Sequence, residues 1–522
     1  MNNKEEQKRT KSTYVSEIIG ESYKSWKIGD TIILKSGTGT GKKKKKKKVL
    51  LAYAASRKEK ILYVSNRITL EQDVQSEIDA YIKDNPELAN TITVTKYQDI
   101  ESKFKIAPYQ AKEELEKYRY IFLDECHYFT SDAPINPYTE LTYKFFKNNT
   151  KRSIQIYASA TAPLFFDFLI KTYNIPENHI YEIPTNHDFV RNTYIYQEEQ
   201  LLTILENIIL TEKDSKIVVF CASGNRIMEI YRTFGERLVN VICSKNYHDK
   251  RVKEIRTPNA VKDNTFQKRI LLATPVIDNG IDLIDHNIQH IFTEMPTIDA
   301  IIQTLGRKRP EKDNDTDYCN YYIREYSEKD IKQFERTTNE QLTLVNLWKN
   351  NNEKFRQKYT NDRVILRTSS ILYFNSSTER LCINQMALAK YKMNDTQYKE
   401  MIDSSFLDVV IKNLPPQLTE KISRINLDDY KDKLLEYLKS IEDKKLFKKE
   451  FESVQKHIRL EISRRKTTAD VRSVGLNMIN AFLDERYGNK YKKRFVSKRD
   501  VVRKLPNGED NPNRFKTYKI LE

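Results

Sequence analysis

Two short stretches of this 522-residue chain carry residue types that do chemistry in combination. The first, Ser36-Gly37-Thr38-Gly39-Thr40-Gly41-Lys42, follows the apolar run Thr31-Ile32-Ile33-Leu34 and fits the pattern G-x-x-x-x-G-K with serine at the small first position. Its three glycines let the backbone curl until successive N–H groups converge on phosphate oxygens, and Lys42 adds a point charge for the terminal phosphates. The second stretch, Tyr120–Phe129, is hydrophobic and ends in Asp124-Glu125-Cys126-His127. Asp124 at a strand's carboxyl end is placed to hold the water shell of a Mg²⁺ ion. Glu125 beside it can polarise the water that attacks a terminal phosphate. Together the pair points to a nucleoside triphosphate, ATP, with Mg²⁺ as its cofactor.

One position works against that chemistry. The residue after Lys42 should be Ser or Thr, whose hydroxyl ligates Mg²⁺, but it is Lys43, an ammonium with no lone pair to give. Lys43 belongs to a run of seven lysines, Lys42–Lys48, at the expected start of a helix. A helix amino end carries partial positive charge and disfavours cations, and the run removes the apolar face that Leu50, Leu51 and Ala54 resume. Three readings stand: an error or deliberate replacement in the sequence, a genuine run in a weakened or inactive enzyme, and a run that an active enzyme tolerates.

The elements that must position these residues are legible as alternating apolar runs and helical patterns, the signature of βα units on a parallel sheet. Strands are expected at Thr31–Leu34, Ile61–Val64, Thr91–Thr95, Tyr120–Leu123 and Ser153–Ala158. A second set is expected at Lys216–Phe220, Val239–Cys243, Arg269–Ala273, Ile288–Phe292 and Tyr318–Arg324, with a linker over Pro184–Arg191. This divides the α/β chain into an N-terminal extension (1–28), two parallel-sheet domains (29–188 and 189–326) and a mainly helical basic region (327–522). From Ile441 to Glu522 there are 22 Lys/Arg against 12 Asp/Glu, interleaved with Tyr491, Phe495, Phe515 and Tyr518. That mixture suits either a solvated face or phosphate contacts with stacking surfaces for nucleic acid.

In order along the chain, further segments complete a pattern. Ser65–Gln72 (SNRITLEQ), Thr95–Gln98 (TKYQ), Asp124–His127 (DECH) and Ser159–Ala162 (SATA) lie in the first domain. Ile217–Gly224 (IVVFCASG), Ala273–Leu283 (ATPVIDNGIDL) and Gln303–Pro310 (QTLGRKRP) lie in the second. With the phosphate loop, this series resembles the superfamily-two helicases and translocases, in the DEAD/DEAH-like group that includes type III restriction helicase subunits. The resemblance implies two tandem RecA-like domains with nucleotide between them. It further implies that Arg67, Thr95 and Thr274 touch the nucleic-acid backbone, that Ser159 and Thr161 couple hydrolysis to strand movement, and that His127 bridges the motor domains. Gly280 and Asp282 are implied at the nucleotide, and Gln303, Arg307 and Arg309 at its transition state, with Pro310 where the family has its last arginine.

Lys+Arg number 90 against 73 Asp+Glu, a formal net charge of +17 and a pI of about 9.2, which favours a polyanionic partner. Five scattered cysteines form no C-x-x-C pair, against a zinc site or a disulfide framework and for a reducing, cytoplasmic setting. The polar start and the lack of a long apolar run argue against a membrane span. The leading expectation is an ATP-driven helicase or translocase on nucleic acid. DNA is favoured over RNA by the resemblance to restriction-type motors and by the absence of the upstream glutamine motif of DEAD-box RNA helicases. The competing expectations are a non-hydrolysing nucleic-acid clamp and an RNA helicase. A nuclease-linked motor would need a carboxylate cluster after Ser327, and none is convincing.

Overall fold

In a computed structural model of the protein, the described residues are 18–36, 46–66, 68–160, 162–183, 187–244, 247–274, 282–311, 314, 316–358, 369–375, 380–426, 433–442, 444–448, 450–455, 458, 475–487, 493–498, 504–510 and 517–521. Six strands form the first sheet: β1 (Thr31–Ser36), β2 (Ile61–Ser65), β3 (Ile92–Lys96), β4 (Tyr120–Asp124), β5 (Ile154–Ser159) and β6 (Ile180–Ile183). They are ordered β3-β2-β4-β5-β1-β6, and every pair is parallel. Neighbouring side chains along β1 serve opposite faces. Ile32 and Leu34 pack towards the Lys46–Ser56 helix, and Ile33 joins the other core layer with Leu62, Val64, Ile121 and Leu123. Such two-sided burial explains why these strands read as continuous apolar runs.

The second sheet contains β7 (Val190–Tyr196), β8 (Lys216–Cys221), β9 (Val239–Ile242), β10 (Ile270–Ala273), β11 (Ile288–Glu294) and β12 (Cys319–Arg324). All of its pairings are also parallel, in the order β15-β7-β12-β11-β8-β10-β9. Its outermost strand, β15 (Ile422–Arg424), comes from the region expected to be a separate accessory unit. Hence the second sheet does not close at residue 326. Arg424 anchors the added strand with two contacts to the Glu325 carboxylate, at 2.5 and 2.7 Å. The expected linker is also shorter than its composition suggests, since β6 runs to Ile183 and β7 begins at Val190.

A short hairpin, β13 (Leu372–Asn375) with β14 (Arg380–Ile383), precedes a long helix, Gln385–Asp403. That helix and its neighbour, Glu328–Asn350, each contribute to the cores of both sheet domains. Leu344, Val345, Met386 and Leu388 lie in the first domain's core, and Ile331, Tyr398 and Met401 in the second's. A further small core, with Leu438, Phe451, Ile479 and Phe482, is built around the antiparallel pair β16 (Arg494–Lys498) and β17 (Thr517–Leu521). Among the described residues no helix is long and apolar enough to cross a membrane.

Candidate nucleotide and nucleic-acid site

The carboxyl ends of β1, β4 and β5 lie side by side, the edge at which open parallel sheets bind ligands. Ser36 ends β1 and pairs in register with Ile183. The loop that follows, Gly37, Thr38, Gly39, Thr40, Gly41, Lys42 and Lys43, lies outside the described residues, as do Arg67, Thr161 and Gly280. Two strands away in the sheet, Asp124 ends β4 and is only 3% exposed. One of its carboxylate oxygens accepts the Tyr63 hydroxyl, and the other accepts the Glu125 backbone N–H at 3.1 Å. The Tyr97 hydroxyl donates to the Asp124 carbonyl at 3.0 Å. Burial, with the Asp124 charge adding to it, pushes the Tyr63 phenol well above its ordinary pKa, so Tyr63 stays a donor.

Neither tyrosine was identified as a site residue from sequence. Tyr63 sits in an apolar strand where it reads as core, and it does stack on Phe122. Its second role depends on β2 lying beside β4, which the register Tyr63↔Phe122 shows and the linear chain does not. Tyr97 is inside the TKYQ segment and was legible there as part of a motif.

Glu125 adopts a left-handed backbone conformation, φ 49°, sparsely populated for a residue with a Cβ. Such strain costs on the order of 1–3 kcal/mol and is a feature of active sites. Beside it, buried His127 places Nδ1 3.0 Å from Ser159 Oγ and 3.3 Å from Glu125 Oε2. The Cys126 N–H donates to the Ala158 carbonyl at 3.0 Å and ties this turn to β5. Asp124, Glu125, His127 and Ser159 therefore form one connected cluster, in which these contacts of His127 are within the first domain.

Two of the segments expected to contact nucleic acid lie on adjacent strands. Thr95 lies in β3, in register with Val64 of β2, and Gln98 Nε2 donates to Asn66 Oδ1 at 3.1 Å. Ser65 Oγ, Asn66 Nδ2, Gln98 Oε1 and, in the other domain, Thr274 Oγ1 are buried polar atoms without a hydrogen-bond partner among the described residues. Thr274 itself is fully buried after β10, where its N–H donates to the Ile242 carbonyl at 3.1 Å.

In the second domain the Asp282 segment and the arginine segment are stitched together. The Leu283 N–H donates to the Arg307 carbonyl and the Arg309 N–H to the Leu283 carbonyl, both at 2.8 Å. Arg309 Nη2 lies 3.1 Å from Asp282 Oδ1. Lys308, between the two arginines, is fully buried; its Nζ donates to Asp317 Oδ1 and to the Asp285 carbonyl, both at 2.6 Å. A buried charge held on two sides fixes the backbone of its neighbours. Gln303 is buried on the Ile298–Leu305 helix that leads into this turn.

No cluster of three or more His, Cys, Asp or Glu able to hold a metal occurs among the described residues. The single carboxylate of Asp124 is a donor of the kind that Mg²⁺ uses beside waters and phosphates. Asp124 has one protein donor on each carboxylate oxygen and keeps lone pairs on both.

The family model of the type III restriction enzyme res subunit matches residues 5–164, and that of the C-terminal part of the CRISPR-associated nuclease/helicase Cas3 matches residues 213–312. No curated protein matches the chain. Among solved structures, the Escherichia coli DEAH/RHA helicase HrpB is similar over 62% of this chain and 44% of its own, at 12% identity and a TM-score of 0.40. The DUF1998 helicase MrfA bound to DNA and AMPPNP is similar over 63% and 53%, at 13% identity and 0.39. Dbp5 of S. cerevisiae bound to RNA and ADP BeF3 is similar over 56% and 78%, at 12% and 0.38. The chain thus spans about half the length of the first two.

Proposed function

We propose, from the chain's membership of the superfamily-two helicases, that it is a nucleic-acid-stimulated ATPase that moves along DNA. The observation that carries this reading is the hydrogen-bonded cluster of Asp124, Glu125, His127 and Ser159 beside the strand from which the glycine-rich loop departs. DNA as the strand rests on the match to a restriction subunit.

Each residue then has a task. Glu125 accepts a proton from the attacking water, and its strained backbone holds the carboxylate beside His127. Asp124, fixed by Tyr63, would hold Mg²⁺ through the ion's water shell, and the bound ion would neutralise charge on the phosphates. Arg307 and Arg309 are braced by Lys308 and Asp282 so that, when the domains close, a guanidinium meets the transferring phosphoryl group. His127 links Glu125 to Ser159 and passes a shift at the nucleotide to β5. The test is phosphate release with and without single-stranded DNA, duplex DNA and RNA. DNA should stimulate it most, and Glu125→Gln should abolish it while nucleotide binding persists. No release with any nucleic acid would leave the chain a clamp that does not turn over, and release indifferent to nucleic acid would overturn the motor reading.

A further inference from the structure

The last part of the chain has an order of elements that the motor does not explain. A helix, Lys433–Ile441, is followed by an extended residue, Leu446, then by helical residues 450–455, a second complete helix, Leu476–Tyr487, and the β16–β17 hairpin. Leu446 pairs with Tyr518 of β17 through two backbone hydrogen bonds, at 2.9 and 3.0 Å, and β17 pairs with β16. The small sheet therefore has the order Leu446–β17–β16, in which the first and last strand segments are neighbours. Helix, strand, helix, helix and hairpin with this pairing is the arrangement of a winged helix. Phe451 stacks on Tyr518 at 3.7 Å, and Asn480 clamps the Leu476–Tyr487 helix to β16 by two hydrogen bonds with the Phe495 backbone.

This packing decides which face of the Leu476–Tyr487 helix is presented. Ile479, Phe482 and Leu483 are buried, and Asn477, Met478 and Ala481 are exposed. The exposed face is small and uncharged at its amino end. Asp484, further along, is in an ion pair with Arg494 at 2.9 Å. The major groove of B-DNA admits a helix, reads amides such as Asn by hydrogen bonding to adenine, and offers thymine methyl groups to small apolar side chains. The deep, narrow major groove of A-form RNA admits no helix. In the connection from β16 to β17, a tight turn through Asn507 and Gly508, with Lys504 paired across it to Asp510, gives the hairpin its tip. The surrounding chain, 441–522, has 22 Lys/Arg against 12 Asp/Glu, a charge complementary to phosphate.

We infer that the C-terminal module, 433–521, is a duplex-DNA-binding winged helix that presents Asn477, Met478 and Ala481 to the major groove and its basic hairpin to the phosphates. The inference goes beyond the motor reading, because it concerns a core separate from both motor domains. It is tested on the full chain without nucleotide, by anisotropy of a short labelled DNA duplex, the matching RNA duplex and single-stranded DNA. Ala481→Glu should weaken binding to the DNA duplex about tenfold or more and leave RNA duplex and single-strand binding unchanged. Ala481→Lys, at the same exposed position, should retain DNA binding, and Lys504→Glu should lower the slope of log K against log salt by about one. Loss with both Ala481 variants, loss with neither, or equal loss on RNA and DNA duplexes would overturn the inference. None of these readouts depends on ATP turnover, so failure of the motor reading would not be mistaken for failure of this one.

Discussion

At the scale of single residues, the site is two matched halves with one discordant position. Glu125→Gln keeps shape and removes only the proton acceptor, so ATP binding should stay within about twofold while phosphate release falls by roughly 10²–10⁴-fold. Lys43 is the discordant residue in the sequence, an ammonium where the motif has a hydroxyl that would ligate Mg²⁺. The chain should therefore bind nucleic acid yet hydrolyse ATP slowly. Lys43→Thr should raise turnover on the order of 10²-fold, about 2.7 kcal/mol, if the hydroxyl acts as one preorganised contact. Steady-state phosphate release against Mg²⁺ concentration checks it, and equal rates would mean that another group ligates the metal. The candidate residues stood out because carboxylates, glycines and arginines at fixed spacing suit one reaction, and the structure brings Asp124 and Glu125 beside His127 and Ser159. What holds them did not: Tyr63, Lys308 and Asp317 read as a core tyrosine and two ordinary charges until parallel register and loop closure brought them into contact.

At the scale of elements, strand positions were readable because parallel strands buried on both faces leave long apolar runs, and all ten expected strands recur within a residue or two. The short edge strand β15 was not, because an exposed edge such as Ser423 and Arg424 leaves no apolar signal. Leu51 and Ala54 of the Lys46–Ser56 helix are buried against the first sheet. Near the helix's first turns is a cavity of about 80 Å³ lined by Leu34, Leu50, Ile61, Tyr63, Phe122 and Ile156. Leu50 lines it, so Leu50→Ala should enlarge the void and cost about 2 kcal/mol or more, read as a shift in denaturation midpoint. The Gln385–Asp403 helix carries a different signal. Asn384 caps it by accepting from the Met386 and Ala387 N–H groups, and its Nδ2 donates to Thr139 Oγ1 at 3.1 Å in the segment after the DECH turn. Its other half meets the second domain, where Lys390 lies 3.4 Å from Asp299 and Gln397 Oε1 accepts the Ile298 N–H. The helix therefore joins the Glu125 segment to the helix that leads into Arg307. Asn384→Asp keeps the cap but removes the donor that Nδ2 gives to Thr139 and to the Ala133 and Asn136 carbonyls, and turns a buried carboxylate oxygen towards those two carbonyls. It should lower stability at least as much as Asn384→Ala, which should cost about 2 kcal/mol, and both should weaken stimulation of the ATPase by nucleic acid.

At the scale of the whole molecule, the two motor domains are joined by a short connection as well as by shared helices, and the connection contains a titratable group. His187 follows the first sheet and precedes β7; it is 3% exposed, and its carbonyl accepts the Val190 N–H at 2.8 Å. Burial lowers its pKa from 6.5 to about 4, with the Asp188 charge opposing the shift. The sign of the linkage follows from which state binds the proton more readily. The unfolded chain, with histidine near 6.5, takes up a proton before the folded chain does, so protonation favours unfolding as pH falls. The contribution of neutral His187 is fully present above pH 6.5 and is lost between there and about pH 4, a span worth about 3 kcal/mol at 1.36 kcal/mol per unit. Carboxylates begin to titrate at the lower end of that window, so the parent's own pH profile does not isolate the histidine. His187→Asn removes the titration while keeping a polar side chain, and the difference between the two profiles reports His187 alone. Denaturant melts from pH 7.5 to pH 4 should show the parent losing about 3 kcal/mol more than the variant, with most of the divergence below pH 6.5. Parallel profiles would mean that the connection opens to water easily enough for His187 to titrate as it does in the unfolded chain, and that the junction contributes nothing to holding the two motor domains as one folding unit.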